Sequence, residues 1–391
     1  MTLAIGIHDL EIATTHHVVD LAELAAARGV DPDKYRRGLG QDEMSVPAPD
    51  EDVVTMGAAA ADALLARTGA QGIRTLIFAT ESGVDQSKST AVFTHRLLEL
   101  PAAVRAIEVK QACYAGTAAL QTAIGIVSRS PSERVLVIAA DVARYALRSP
   151  GEPTQGAAAV AFLVGAEPAV LEIEPVSGVH TADVDDFWRP NDSSVALVDG
   201  ALSMSAYLDA LTGAWDDLRR RGGPAAGDIR AFLYHQPFTR MAVKAQQRLA
   251  QHLGAGAGDA LGDAGLAEMS AYNRRLGNGY TASLYVALAA LLDGAADRGA
   301  DLVGERLGLF SYGSGSVGEL LTGIVRGTSP GRAGRVAGML DARVRLAVAE
   351  YERLHAVTHS SDEDVETPRV TSAPFRFAGL RRGARRYERT A

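Results

Sequence analysis

The sequence predicts an α/β protein with an internal duplication, and three observations carry that expectation. Short β-rich apolar runs alternate with Ala-rich stretches of helical character, the pattern of strands covered by helices. The alternation passes twice through a similar order of elements, a weak internal repeat. At 391 residues the chain can bury a large core, either as two domains or as one duplicated unit.

In chain order the strand candidates are Leu3–Ile7, Thr75–Phe78, Ala106–Val109, Val135–Ile138, Ala158–Val164, Ala231–Leu233, Arg306–Phe310 and Leu320–Val325. The helix candidates are Glu51–Thr68, Tyr114–Ser128, Ser203–Arg221, Thr239–Leu253, Thr281–Leu292 and Arg335–His355. In the first half, Ile73-Arg74 leads a strand ending at Thr80-Glu81. A helix, a strand, the turn QACYAG, a long Ala-rich helix and the strand RVLVIAADV follow. In the second half, Ile229-Arg230 leads the strand AFLYH, ending at His235. A helix, the turn GNGYTAS, another long Ala-rich helix and the strand RLGLFSYGSGS follow.

The repeat sets Glu81 opposite His235 and Cys113 opposite Asn278, at strand ends and helix starts, where α/β folds place ligands. It divides the chain into residues 1–166, carrying Glu81 and Cys113, and residues 167–391, carrying His235, Asn278 and a C-terminal helix and tail. Beyond residue 328 or so, GTSPGRAG reads as a linker before one amphipathic helix and the acidic run SSDEDVE. The basic, aromatic tail FRFAGLRRGARRYER is expected to be a last strand with a solvated terminus.

Composition excludes several classes. A formal charge of −8 argues against broad nucleic-acid binding, which needs a concentrated basic surface. The start, MTLAIGIHDLEIATT, has no basic region ahead of its apolar stretch, so no secretory signal is expected. No apolar run reaches the roughly 20 residues of a bilayer helix, so no membrane span is expected. A single cysteine permits no internal disulfide, and a reducing cytoplasm is the expected location.

Three residues stand out chemically. Cys113 begins a helix in QACYAGTAALQ, where the dipole and unpaired N–H groups are expected to lower its pKa. The small Ala115 and Gly116 allow a substrate carbonyl to approach those N–H groups, part of an oxyanion hole. By position alone an inert buried cysteine is the competing reading; the partners at matching repeat positions favour catalysis. His235, of nine histidines, is the one at a strand end followed closely by a proline. Glu81 ends the strand TLIFAT, and a carboxylate at the mouth of an apolar pocket has the raised pKa that suits a general acid/base.

Other motifs carry negative expectations. His16-His17 has no acidic or Cys partners at ligand spacing, so no metal site is expected. GNGYTAS and YGSGSVGE lack both the P-loop lysine and the dinucleotide glycine pattern. Their glycines fit tight turns and close backbone approach to an acyl group.

Eight motifs in order carry a resemblance: GLGQDEMSVPAPDEDVVTM, FATESGVDQSKS, KQACYAGTAALQ, PTQGAAAVAFLVG, DFWRP, YHQPFTRMAVKA, GNGYTASLY and SYGSGSVGEL. Over nearly its whole length the chain resembles the 3-hydroxy-3-methylglutaryl-CoA (HMG-CoA) synthase family of the thiolase superfamily. The resemblance implies a thiolase-like five-layer αβαβα fold with internal duplication, usually homodimeric. It also implies a ping-pong condensation of acetyl-CoA with acetoacetyl-CoA through an acetyl-Cys intermediate, with CoA thioesters as partners and no further cofactor. Cys113 is then the nucleophile and Glu81 the general acid/base. His235 bonds the acceptor carbonyl oxygen, and Asn278 positions the acyl groups. Thr154, Phe187, Ser203, Tyr280 and Ser314 match positions lining the substrate pocket. Lys244 and Arg240 match lysines that contact CoA; position 240 departs from the family's usual Lys, and a guanidinium there is bulkier and planar. A family variant takes its substrates on acyl carrier proteins for polyketide β-branching, and the terminal RRGARRYER is the segment that could meet an acidic carrier.

Overall fold

The computed structural model describes residues 3–256, 261, 265–329, 331–358 and 363–390; His359 and the start of the acidic run lie outside them. The strands of the main body are β1 (Ile5–Ala13), β2 (His17–Asp20), β3 (Glu43–Val46), β4 (Ile73–Ala79), β5 (Arg105–Val109), β6 (Arg134–Ala143) and β7 (Gly156–Ala166). They continue with β8 (Leu171–Ile173), β9 (Gly178–Thr181), β10 (Phe187–Trp188), β11 (Leu197–Val198), β12 (Ala231–Tyr234), β13 (Arg306–Gly313) and β14 (Val317–Val325). The first six α-helices are α1 (Leu21–Arg28), α2 (Val53–Thr68), α3 (Thr90–Leu97), α4 (Ala115–Arg129), α5 (Gly200–Arg220) and α6 (Arg240–Leu253).

The duplication is written in the sheet. Its strand order is β12-β13-β14-β8-β1-β7-β6-β4-β5. In the first repeat β4 runs parallel to β6, β6 antiparallel to β7, and β7 antiparallel to β1. In the second, β12 runs parallel to β13, β13 antiparallel to β14, and β14 antiparallel to β8. The two paths are the same, except that among the described residues the second has no counterpart of edge strand β5 and that its β14 also pairs with β9. They meet where β1 pairs with β8, Gly6 opposite Glu172 and Ile7 opposite Leu171.

Strand periodicity sorts the layers, because successive side chains point to opposite faces. Leu76, Phe78, Leu136 and Ile138 pack in one core cluster with Met56, Ala60 and Leu64 of α2. Their alternates Ile77, Ala79, Val135, Val137 and Ala139 join Ala119, Leu120 and Ala123 of α4 in another. That second cluster also holds the helix Ser283–Asp297, which is apolar almost all round, as a helix buried on every side must be. On the far side, Phe232 of β12 meets Trp215 of α5, and Tyr234 donates to Gln246 of α6 at 2.5 Å. The result is the αβαβα stack expected from sequence.

Gly116 shows what the central layer demands. A Cβ there would lie 2.6 Å from the Thr281 carbonyl oxygen of the other repeat, closer than any side chain tolerates. Gly116 thus lets the two repeats' helix starts touch.

Several expectations need correction. The first strand begins at Ile5 and runs on to Ala13, because β7 pairs with it along that whole length. The single helix Arg335–His355 is two, Arg332–Asp341 and Val348–His355. Between them Val344–Arg345 pairs in parallel with β2, so the chain leaves the helix to complete a small sheet. The linker reading of GTSPGRAG also fails at its end. Arg332 is fully buried and pairs with Asp293 at 2.8 Å.

The tail is not solvated. Phe375–Arg381 and Ala384–Arg389 form a hairpin. Its Phe375, Phe377, Leu380 and Tyr387 pack against Val54 and Ala58 of α2 and Phe93 and Leu97 of α3. Its arginines meet acids of the first repeat, Arg385 with Asp52 at 2.7 Å and Arg389 with Asp62 at 2.8 Å. A run read as a charged face is an outer core layer, because the aromatics interleaved with the charges set its inward face.

Candidate active site

The loops after β4 and before α4 bring the first two candidates together. Ala112 adopts a left-handed φ of 42°, so the chain turns sharply and presents Cys113 just ahead of α4, which starts at Ala115. The Cys113 thiol donates to Oε1 of Glu81 at 3.0 Å. The other Glu81 oxygen lies 3.6 Å from the Arg189 guanidinium.

The electrostatics reverse one expectation. Burial pushes the Cys113 thiol well up, and the neighbouring Glu81 charge adds to it. The helix start does not overcome desolvation here, so the resting residue is a thiol. Glu81 itself is raised to about 8, chiefly by burial and then by the Asp141 charge, with Cys113 and Arg189 partly opposing.

Asp141, fully buried at the end of β6, organises the site. One carboxylate oxygen accepts from the Thr80 hydroxyl at 2.7 Å, the Glu81 N–H at 2.9 Å and the Ser82 N–H at 3.0 Å. The other accepts from the Thr281 N–H at 3.1 Å and its hydroxyl at 2.6 Å. One side chain therefore fixes the Glu81 loop of the first repeat to the GNGYTAS turn of the second.

The second repeat supplies the matching positions. His235 follows β12 as Glu81 follows β4, and is 2 % exposed. Its N–H donates to the Phe310 carbonyl at 2.9 Å, and its carbonyl accepts from the Tyr207 hydroxyl at 2.8 Å. Burial lowers its imidazole to about 3, so the ring is neutral at ordinary pH. Asn278, also buried, accepts through Oδ1 from the Tyr280 N–H at 2.9 Å. This turn lies hard against the start of β7: a Cβ on Gly156 would be 2.5 Å from the Asn278 nitrogen.

Phe187 stands between Tyr280 and Tyr145, with ring centroids 5.9 and 6.2 Å away. Thr154 ends the short turn Glu152–Thr154 and bonds back to the Gly151 carbonyl. Ser314 sits in the β13–β14 turn, where its carbonyl accepts from the Gln111 side chain at 3.2 Å. Asp186 steadies that turn through the Gly315 N–H at 2.8 Å and the Tyr312 hydroxyl at 3.0 Å.

A second group gathers on α5 and α6. Ser203 is in the first turn of α5, beside Met204, whose sulfur lies 3.5 Å from Lys244 Nζ. Arg240, one helical turn before Lys244, is exposed at the start of α6.

Sequence reasoning missed Asp141, Tyr145, Asp186 and Arg189. Asp141 did leave a signal, as the lone acid in the apolar strand RVLVIAADV. Asp186 and Arg189 flank Phe187 within DFWRP. Tyr145 left none, since its place in the aromatic wall depends on the β10 loop folding over it. Among the described residues no group of three or more His, Cys, Asp or Glu side chains could hold a metal ion.

The site thus has a half-buried Cys–Glu pair on one repeat and a buried His and Asn on the other. Residues 2–169 match the hydroxymethylglutaryl-coenzyme A synthase N-terminal family and residues 261–361 the C-terminal one. The chain belongs to the HMG-CoA synthase family. It is 40% identical over 365 residues to the hydroxymethylglutaryl-CoA synthase of Enterococcus faecalis, covering 93% of this chain and 94% of that protein. It is 33% identical to the polyketide biosynthesis 3-hydroxy-3-methylglutaryl-ACP synthase PksG of Bacillus subtilis, covering 89% and 87%. A crystal structure of HMG-CoA synthase complexed with CoA superposes with a TM-score of 0.92 at 33% identity, covering 99% of this chain and 100% of that one. Members of this family are acyl-transferring condensing enzymes, and the thiolase-like fold expected of it is the one found here.

Proposed function

We propose that the protein condenses acetyl-CoA with acetoacetyl-CoA and hydrolyses the adduct to HMG-CoA, with residues 1–166 and 167–391 as its two thiolase-like halves. The observation that carries this reading is the 3.0 Å pairing of the Cys113 thiol with Glu81.

A thiol kept protonated needs a base in contact, and a carboxyl tuned to about 8 can take and return protons near neutral pH. As Cys113 Sγ attacks the acetyl thioester, its proton passes to Glu81, which returns it to the departing CoA sulfur. The Cys113 N–H and the turn around Ser314 hold the oxyanion. Glu81 then takes a proton from the acetyl-Cys methyl, and the carbanion attacks the ketone carbon of acetoacetyl-CoA. Neutral His235 donates a hydrogen bond to that ketone oxygen, and the proton on Glu81 completes the hydroxyl. Water, deprotonated by Glu81, finally cleaves the thioester to Cys113, leaving a free carboxylate and the restored thiol.

Phe187 and Tyr280 bound the acyl groups, Asn278 orients them, and Thr154 and Ser203 complete the pocket wall. Arg240 and Lys244 supply cations for the CoA phosphates. Thiol, carboxyl and imidazole suffice for every step, so no cofactor beyond the thioesters is called for. The reading extends to the mevalonate route to isoprenoids and to a reducing, cytoplasmic setting, which suits a single catalytic thiol. A homodimer is supported by β5, the outermost strand of the sheet, which leaves Ile107 41% exposed; such an edge invites pairing with a second copy.

The similarity to PksG keeps a carrier-protein reading in play, with donor and acceptor on acyl carrier proteins. Against it, Arg385 and Arg389 of the tail are engaged with Asp52 and Asp62. The deciding experiment offers purified protein acetyl-CoA and acetyl-carrier protein separately and follows adducts on Cys113 by mass spectrometry. Acetylation from CoA with thiol release supports the first reading; acetylation from carrier protein alone overturns it.

A further inference from the structure

Strand β14 carries a buried acid that no step of the proposed chemistry uses. Glu319 lies in the second repeat and is 3 % exposed. One of its carboxylate oxygens accepts from the Tyr114 hydroxyl at 2.7 Å, the other from the Gln121 side-chain amide at 2.6 Å. Both donors belong to the first repeat. Tyr114 follows Cys113 and is the last residue before α4, and Gln121 lies within α4.

Seven residues separate the two donors, and at 3.6 residues per turn that spacing returns a helix to nearly the same face. One bond alone would let α4 swivel about it. Two bonds, one at its start and one two turns on, fix both where the helix begins and how it is rotated about its axis. A carboxylate suits this task, because it offers two acceptors and no donor. Its bonds are also stronger than those of a neutral acceptor.

The backbone of the same turn is held separately. The Gln111 side chain bonds the Ser314 carbonyl at 3.2 Å, and a Cβ on Gly313 would lie 2.7 Å from the Tyr114 nitrogen. The β13–β14 hairpin thus presses on the turn that carries Cys113, while Glu319, further along β14, grips the helix behind it. Such fixing matters because Cys113 Sγ works at 3.0 Å from Glu81, and misplacing a reacting group by about 1 Å can cost about 10²-fold in rate.

We infer that Glu319 is a positioning residue for the acyl-carrying thiol, holding the start of α4 on the second repeat through Tyr114 and Gln121. The inference rests on Cys113 being the nucleophile proposed above. Glu319 touches no reacting atom in this role; it acts through Tyr114, the neighbour of Cys113.

The test follows single-turnover acetylation of Cys113 from acetyl-CoA by rapid-quench mass spectrometry. Glu319→Leu should lower the limiting rate roughly tenfold or more while half-saturation stays within about twofold, a loss of position without loss of binding. Glu319→Gln, which can still accept one bond and donate another, should recover most of that rate. Tyr114→Phe should slow the wild type likewise but add nothing in the Glu319→Leu background, because residues acting as one unit are not additive. Wild-type rates in Glu319→Leu, no recovery in Glu319→Gln, or full additivity with Tyr114→Phe would overturn the inference. Hydrogen exchange needs no thioester, so it decides where Glu319→Leu does not fold or where the wild type takes up no acetyl group, an outcome that sinks the acyl-transfer reading alone. In Tyr114→Phe the N–H groups of residues 113–117 should exchange roughly tenfold faster or more, the loss of one hydrogen bond to a charged group, with β13 and β14 unchanged. Wild-type exchange at those residues sinks the inference.

Discussion

The Cys113 thiol and the Glu81 carboxyl lie 3.0 Å apart, and burial holds both in their protonated forms near neutral pH. This is a proton-transfer pair, in contrast to a preformed thiolate waiting for substrate. Cys113→Ala should abolish both acyl adducts and CoA release. Glu81→Gln keeps the shape but removes the base, so acetylation should slow by about 10²–10⁴-fold, the usual contribution of positioned acid–base groups. Stopped-flow CoA release separates the two: a Glu81→Gln variant acetylated at the wild-type rate would contradict the pairing's role.

The same carboxyl sets a pH dependence. As the base for acetylation Glu81 must be ionised, so the acetylation rate should climb up to about pH 8 and level off above it. Stability runs the other way. A carboxyl raised from 4.5 to about 8 on folding binds more protons when folded, so the native state loses stability as pH rises through that window. Below pH 4.5 both states are protonated and the penalty vanishes. Glu81→Gln should therefore melt higher than wild type at pH 8, with the gap closing toward pH 4.5; a gap independent of pH would count against the assignment.

The sequence made these partners visible to different degrees. Glu81 and Cys113 were legible because one ends an apolar strand and the other begins an Ala-rich helix, each with a counterpart in the repeat, which strand and helix periodicity can locate. The raised thiol pKa was not legible: a helix start argues for lowering, and only the packed site reveals that desolvation wins. Asp141 was half legible, an acid inside an apolar strand, but its bonds to Thr80 and Thr281 join residues two hundred positions apart. The break between Asp341 and Val348 was hidden for the same reason, since the pairing of Val344 with His17 overrides a helical pattern from far away in sequence.

Asp141 invites its own test. Asp141→Ala takes this acceptor from the Thr80, Ser82 and Thr281 hydroxyls and from three backbone N–H groups, those of Glu81, Ser82 and Thr281. Removing such a hub should cost about 3–5 kcal/mol of stability. Asp141→Asn keeps much of the shape and removes a charge that raises Glu81, so the rising limb of the acetylation pH profile should move to lower pH. A limb that stays in place in a folded Asp141→Asn variant would show that the charge is not felt at Glu81.

The C-terminal hairpin gives a prediction about architecture. Phe377 is 2 % exposed and packs with Val54, Ala58, Phe93 and Leu97, while the Arg385 guanidinium lies 4.2 Å above its ring. Phe377→Ala should cost about 3–5 kcal/mol, the range for losing a buried aromatic side chain. Arg386→Ala, an exposed position on the same hairpin, should change stability by about 0.5 kcal/mol at most, as surface substitutions usually do. Urea unfolding distinguishes the outcomes. A large midpoint drop for Phe377→Ala with none for Arg386→Ala marks the tail as an outer core layer whose aromatics, and not its charge, hold it in place. Comparable small effects from both would return the tail to a solvated arm and reopen it as a docking segment.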